Sequence, residues 1–500
     1  MSKRKASSES DRLNDNNLSF DDVSVLVNNR QSPQLKAAFE SGFHDVNLKN
    51  DDSLLMKACK MGDEVSAMIL FEYGADISFE SHYSGNTALS LACLNGNESM
   101  VKLLINNKAD PNSPHGHLPL VKACEIGNIA IVKLLLSHGA KVDTIPCFII
   151  DKTDDDYDPD NHNEQYRYGP NALMIACGQG NIDLVHLLLG SGASLGETLE
   201  SGRDVGFSPL TFACRGYHWE LVKQFIGLGA DVNANWRDNV PTPLMYACTE
   251  GNLDAVKMLL DLGADINKGE RYNFDPLAPT PLSSACLHGH IELVKYILAH
   301  KDFIAALGVL QKAFVEACEH GDPELIALLR PRVGEINDLV ACQSETPHTV
   351  ERTFLVVACW SRRVKAVQKL LELGASVSVN NDRGFKALSV LRRGGPSAAT
   401  LITLLVEHGA DVNSDDSYGN TPLMRAAETC YFTKYSLELF KALLDYGADV
   451  RVKNKDRETV LDILSRWSSS SDRRNELIAL CKQYEESNRR DRVSDEILLK

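Results

Sequence analysis

The chain of 500 residues carries 52 Lys and Arg against 68 Asp and Glu, a formal net charge of −16 at pH 7, with 44% hydrophobic and 24% charged residues. That is the composition of a folded, soluble protein, and its acidic balance argues against a general nucleic-acid binder, which would show a broad basic face. No apolar run reaches the roughly 18 residues that span a bilayer, and MSKRKASSESDRLNDNN lacks the apolar stretch of a secretory signal.

Thirteen cysteines reveal the organisation. Nine of them (Cys59, Cys93, Cys124, Cys177, Cys214, Cys248, Cys286, Cys318 and Cys359) directly follow an Ala, at separations of 34, 31, 53, 37, 34, 38, 32 and 41. A unit of about 33 residues with insertions predicts a repeat array.

In chain order, residues 1–19 are expected to be a disordered tail and 20–47 a partial unit acting as an end cap. Units follow at 51–78, 84–112 (SGNTALSLACLNGNESMVKLLINNKADPN), 115–143, 169–195, 206–233, 241–267 (PTPLMYACTEGNLDAVKMLLDLGADIN), 279–307, 309–337, 353–379, 383–413 and 418–450, with a closing cap near 456–484. Each reads as turn, short helix, tight turn, longer helix, loop. In 241–267, Pro243 opens the first helix, where its missing N–H is no loss. Gly251 breaks that helix and Asn252 caps the second, whose stripe is Leu253, Val256, Leu259 and Leu260. Gly263 ends it in the left-handed conformation. In 309–337 the junction Gly321-Asp322-Pro323 repeats the pattern.

These units resemble the ankyrin repeat over about 20–485, through the recurring T-P-L-x-x-A, G-x-x-x-x-V-x-x-L-L and G-A-D-V-N elements. The His that the family places after T-P-L is absent. Ser90, Lys122, Met174, Thr211, Met245, Ser283 and Met424 stand at or near its position, so the turn hydrogen bond it usually supports is lost. The resemblance implies an all-α solenoid of about twelve helix-turn-helix units with projecting loops and end caps. It also implies protein binding through the loop tips and the concave face of the first helices. The expected division is an N-terminal stack 20–307, a C-terminal stack 308–485 and a charged tail 486–500, with 300–352 as the weakest joint.

Catalytic and ligand motifs are set aside one by one. Equivalent cysteines in packed neighbours lie about 8–10 Å apart, beyond disulfide reach, and no zinc spacing exists, so the thiols are read as small buried core residues. Cys147, Cys342, Cys430 and Cys481 fall off register and are free to be exposed. Gly178-Gln179-Gly180 is a repeat turn, not a dinucleotide fingerprint. The H-G-H strings His115/His117 and His288/His290 also sit at turns, not at a metal. The acidic run 151–160 has Pro159 where a calcium loop needs Gly. No catalytic residue, cofactor or metal is expected.

Binding residues are sought where repeat logic is broken. All large insertions (144–168, 196–205, 234–240, 268–278 and 338–352) occupy one slot and carry aromatics: Phe148, Tyr157, Tyr166, Tyr168, Trp236, Tyr272 and Phe274. Tyr217 and Arg362 replace the turn Gly, with Arg363 in the cap slot, although Gly216 could shift the first of these turns. Trp219 lies beside Tyr217, and Trp360 beside Arg362. Arg362, Arg363, Lys365, Arg383, Lys386, Arg392 and Arg393 are expected to merge into a basic strip suited to an acidic or phosphorylated peptide. The resulting expectation is a monomeric protein-interaction scaffold without membrane insertion or direct nucleic-acid binding. The cysteine usage fits a reducing, cytoplasmic setting, and Lys3-Arg4-Lys5 is a candidate nuclear-import signal. A ubiquitin-ligase substrate receptor and a nuclear regulator are the alternatives.

Overall fold

The computed structural model describes residues 19–466 and 474–486, apart from 45, 48–51, 82–84, 113–117, 150–165, 197, 199–205, 235–239, 270–278, 343–349, 380–385, 394 and 430–435. The chain divides into two compact units, Met1–Pro243 and Leu244–Lys500, a division that falls inside the stretch 20–307.

Within each unit the element order is mainly paired helices, as the sequence pattern requires; in the 383–413 repeat the first helix is shortened to the 3-10 turn Ser389–Arg393. Thr280 shows how a pair begins: its Oγ1 accepts from Ser283 N at 3.2 Å, while its own N–H donates to Ser283 Oγ at 2.8 Å. This reciprocal cap starts the helix Pro281–Leu287, Gly289 turns the chain at φ 77, and the helix Ile291–Ala299 returns. The same box closes at Thr87/Ser90 and Ser208/Thr211. Ser90, Thr211 and Ser283 therefore do the capping work that the missing family His would do, and the turn loses no support at these three positions.

First helices are buried nearly all round because each is flanked by first helices of its neighbours and covered by its own partner. In Ala88–Leu94 every residue up to Cys93 is buried. The small Ala-Cys pair permits that close stacking: Ala58, Cys59, Ala92, Cys93, Ala123 and Cys124 are all at 0% exposure. Second helices bury one stripe only, such as Ala255, Val256 and Leu259 in Leu253–Asp261. Every fully buried Leu, Val or Ile contributes about 1.5–3 kcal/mol.

The G-A-D-V-N ends join one unit to the next by hydrogen bonds. Asn112 Nδ2 donates to Gly139 O at 2.8 Å while its Oδ1 accepts from Lys141 N at 2.7 Å. Asn47, Asn267 and Asn413 make the same two-point clamp. At Asn112, Asn233, Asn267 and Asn413 the Asp two residues earlier accepts from the Asn N–H, as Asp110 does from Asn112 at 2.8 Å, which fixes the loop in an Asx turn.

Two insertions expected as loops are antiparallel ribbons at their bases. β1 (Cys147–Ile149) pairs with β2 (Tyr166–Tyr168), and β3 (Val340–Cys342) with β4 (Val350–Arg352). Both segments are rich in β-branched and aromatic residues, which favour pleated pairing over open loop. The 300–352 stretch lies within the second unit. There the helix Leu307–His320 packs along Pro281–Leu287 on one side and Phe354–Trp360 on the other, with Phe314 and Phe354 edge to face at 4.5 Å.

Candidate partner-binding edge

Within each unit the tight turns between paired helices form an edge whose backbone is nearly invariant and whose side chains are not. Gly62, Gly96, Gly127, Gly180, Gly251, Gly289 and Gly321 hold it in the left-handed region. Tyr217 and Arg362 adopt the same conformation, at φ 59 and 56, without being Gly. Gly216, at φ −82, does not shift the turn, so Tyr217 carries the strain. Each such residue costs about 1–2 kcal/mol.

Cap slots differ as well. Asn97, Asn128, Asn181 and Asn252 each accept an N–H of their own helix at 3.0–3.1 Å. His218, His290 and Arg363 occupy that slot without any side-chain cap. They reach back to a carbonyl of the preceding repeat instead: His218 Nε2 to Gly178 O at 3.0 Å, His290 Nε2 to Thr249 O at 2.9 Å, and Arg363 Nε to Glu319 O at 2.6 Å. These carbonyls end first helices and have no helical partner, so each bond satisfies an orphan acceptor. His288 Nδ1 likewise pairs with Ser284 O at 3.0 Å. In the second H-G-H string His290 is thus a cross-repeat staple and His288 closes the end of its own helix; His115 and His117 lie outside the described residues. Among the described residues no group of three or more His, Cys, Asp or Glu is placed to hold a metal.

The structure sorts the expected binding residues. Tyr217 is exposed and its ring lies 6.3 Å from that of Trp219. Arg362 and Arg363 are both exposed, and Trp360 is half-buried. Arg362 runs along the next turn: a Cβ added at Gly395 would lie 3.1 Å from its Cδ, and its carbonyl accepts from Ser397 Oγ at 3.4 Å. Arg392 and Arg393 end the 3-10 turn Ser389–Arg393, and their side chains lie outside the described set, as do Trp236, Tyr272, Phe274 and Arg383 altogether.

Two features escaped the sequence reading. Arg352, only 8% exposed, lies over the ring of Trp360 at 4.5 Å from its centroid. In the helix Leu307–His320, Lys312 and Glu316 form a buried ion pair at 2.5 Å. Burial, with Glu316 close by, raises the pKa of the Glu319 carboxyl, while Lys312, Arg352 and Arg363 oppose that rise. Lys312, Glu316 and Glu319 recur at helical spacing inside an apolar helix, a signal that was available. The second feature is apolar. Met61, Leu94, Ile126 and Ile182 stand 37–52% exposed at or beside the turns of the first unit.

The ten described free cysteines are all buried, Cys481 included, although its off-register position left it free to be exposed. Burial pushes Cys59, Cys124 and Cys481 up to about 12, so these thiols stay protonated and are poor nucleophiles. Among the described residues no helix is long and apolar enough to cross a membrane.

Comparison with known proteins places this architecture. The family described as ankyrin repeats (3 copies) matches overlapping stretches that together run over 23–307 and 355–454. Among curated relatives, intracellular phospholipase A2 of Caenorhabditis elegans is 30% identical over 128 residues, 25% of this chain and 12% of that protein. Ankyrin repeat domain-containing protein 63 of Homo sapiens is 30% identical over 131 residues, 26% of this chain and 33% of its own length. Ankyrin repeat domain-containing protein 37 of Mus musculus is 34% identical over 102 residues, 20% of this chain and 59% of that protein. The chain thus spans less than two thirds of each of these relatives.

Proposed function

The chain belongs to the ankyrin-repeat family, a protein–protein interaction module, and from that premise we propose that it is a scaffold that binds partner proteins through its inter-helix turn edges and inter-repeat loops. The observation that carries this reading is the edge itself. Its backbone serves stacking and is held by Gly and cross-repeat bonds, yet exposed side chains beyond what the turn requires project from it: Met61, Leu94, Ile126, Ile182 and Tyr217 in the first unit, Arg362 and the unbonded end of the Arg363 guanidinium in the second. Aromatic, aliphatic and Arg side chains on a rigid frame are the usual anchors of protein interfaces. The protonated, buried thiols serve packing and give no catalytic nucleophile. The overlap with the phospholipase covers 12% of that protein, too little to bring its activity here. A reducing compartment suits the free thiols.

Cross-linking mass spectrometry on the intact chain in its own cells tests this. Partner cross-links should concentrate on lysines beside the turns, such as Lys60 and Lys365, and be sparse on the second-helix lysines Lys102, Lys133 and Lys295. A uniform spread, or no partner at all, defeats the reading.

A further inference from the structure

Resting on the scaffold reading, we infer that the turn Ser361–Arg363 grips a peptide segment bearing oxyanions, either Asp and Glu carboxylates or a phosphorylated residue, through the guanidinium groups of Arg362 and Arg363 beside the Arg352–Trp360 pair. Three observations converge on it.

The turn keeps two residues that depart from the repeat pattern. Arg362 sits at φ 56 where Gly251, Gly289 and Gly321 hold the equivalent place, and Arg363 leaves the helix Val364–Glu372 without the cap that Asn252 gives its own helix. The left-handed backbone at Arg362 costs stability, whereas the missing cap at Arg363 is offset by its bond to Glu319 O; an anchoring role for the Arg362 side chain accounts for retaining the strain.

Both guanidinium groups are also positioned. Arg363 is fixed by its Nε bond to Glu319 O at 2.6 Å, with its stem over Gly321, where an added Cβ would lie 2.9 Å from Arg363 Cβ, Cγ and Cδ. Its remaining N–H groups stay available. Arg362 is held along Gly395. Little rotamer freedom is then left to lose when an oxyanion arrives, and a planar N–H fork matches carboxylate or phosphate in two-point contact.

Finally, the charge is uncompensated. No ion pair among the described residues engages Arg362 or Arg363, whereas Lys295 is paired to Glu292 and Glu324, and Lys369 to Glu372. Nearby, Lys312 is paired to Glu316, and Arg352 and Arg363 act on Glu319, so among these described residues the cations outnumber the carboxylates. In a chain of net charge −16, a local cationic excess attracts a short acidic segment while the whole protein repels an extended nucleic acid.

The test uses the full chain and three fluorescein-labelled peptides of equal length: one rich in Asp and Glu, its Asn and Gln counterpart, and one with phosphoserines in a neutral background. The variant carrying Arg362→Gly and Arg363→Asn rewrites the turn to the Gly251-Asn252 sequence, so folding is secured and its melting point should hold or rise. Anisotropy should show an oxyanion peptide bound about ten-fold or more tighter than the neutral one, with that preference abolished in this variant and partly kept by Arg362→Lys with Arg363→Lys. The tighter of the two acidic peptides identifies the oxyanion. Equal binding of the neutral peptide, undiminished binding by the Gly-Asn variant, or tighter binding of single-stranded RNA would overturn the inference. Cross-links from cellular partners to other parts of the edge would persist in that event and leave the scaffold reading standing; their absence in the wild type would remove the scaffold reading itself.

Discussion

The turn edges of the two units follow the same backbone path and divide their work differently. In the first unit two residues share the labour at a turn. Asn95 and Gln179, ahead of the Gly, donate back to Cys59 O, Lys60 O and Glu125 O, while Asn97 and Asn181, behind it, cap their own helices. In the second unit His290 and Arg363 make the backward bond from the cap slot itself, and their helices Ile291–Ala299 and Val364–Glu372 go without a side-chain cap. A cap adds to the intrinsic stability of one repeat, whereas a backward bond adds to the coupling between neighbours. The second unit therefore trades local for nearest-neighbour stability at two of its turns and keeps the shared arrangement at another, where His320 donates back to Leu287 O and Asp322 caps its own helix; His218 beside the strained Tyr217 makes the same trade once in the first.

This contrast assumes that the cores beneath both edges are alike, and alkaline unfolding is the largest-effect test of that. Five described buried thiols lie in each unit: Cys59, Cys93, Cys124, Cys177 and Cys214, then Cys248, Cys286, Cys318, Cys359 and Cys481. Burial raises the pKa of Cys214 and Cys248 far above the ordinary thiol value of 9.0. Above that value the unfolded thiols lose protons and the folded ones keep them. The unfolded state then binds fewer protons, and stability falls as pH rises, by about 1.4 kcal/mol per pH unit for each thiol. Urea unfolding between about pH 9 and 11, followed in variants keeping only Trp219 or only Trp360, should show similar steep losses in both units. Cys214→Ala should flatten the first slope alone. A slope confined to one unit breaks the comparison at its base.

The next effect separates the turn glycines from the helix-end glycines. A Cβ at Gly251 would overlap the ring of His290, and the residue already sits at φ 80; Gly263, at φ 93, has nothing within 4 Å of the same position. Gly263→Ala should cost about 1–2 kcal/mol, the dihedral strain alone. Gly251→Ala should cost at least about 3 kcal/mol, because the ring must leave and Thr249 O loses its donor. Equal losses in thermal melts would mean that the staple contributes nothing.

Much of this was legible beforehand, because each repeat obeys local rules. The Ala-Cys register, Pro at the helix start, and Gly-Asn at the turn are determined within a few residues of one another, and even the strained backbone of Tyr217 and Arg362 followed from finding them where Gly belongs. What escaped depends on contacts between repeats. That Ser90, Thr211 and Ser283 complete capping boxes could be read from Thr87, Ser208 and Thr280 three residues earlier, but the family His drew attention away. That His290 donates to Thr249, 41 residues back, was not readable, since a cap-slot His has no local partner to betray its aim. Arg352 over Trp360 required knowing that an insertion ends in a ribbon, which turns the base of β4 onto the following helix.

A smaller effect distinguishes cap from staple directly. Asn252→Ala and His290→Ala should each cost about 1 kcal/mol. Hydrogen exchange should assign the losses differently. Asn252→Ala should speed exchange in Leu253–Asp261 alone, about five-fold, whereas His290→Ala should loosen both Pro243–Glu250 and Ile291–Ala299. Identical exchange maps would erase the distinction between cap and staple on which the comparison of the two edges rests.

The smallest effect concerns Glu319, and its sign is the informative part. Its carbonyl accepts from Arg363, and burial, then Glu316, raises the pKa of its carboxyl against the opposing pull of Lys312, Arg352 and Arg363. Between the unfolded carboxyl's ordinary value of 4.5 and the higher folded value, the folded state holds the proton and the unfolded state does not. Stability must then fall as pH rises through that window and carry a fixed deficit above it. Glu319→Gln removes the deficit, so at pH 7 the variant should be slightly more stable, by under about 1 kcal/mol, with a flatter profile just above pH 4.5. If the carboxylate instead neutralised Arg352 and Arg363, the substitution would lower stability at pH 7. The cationic excess at the Ser361–Arg363 turn would then be compensated from within, and the second edge would have no more charge to offer a partner than the first.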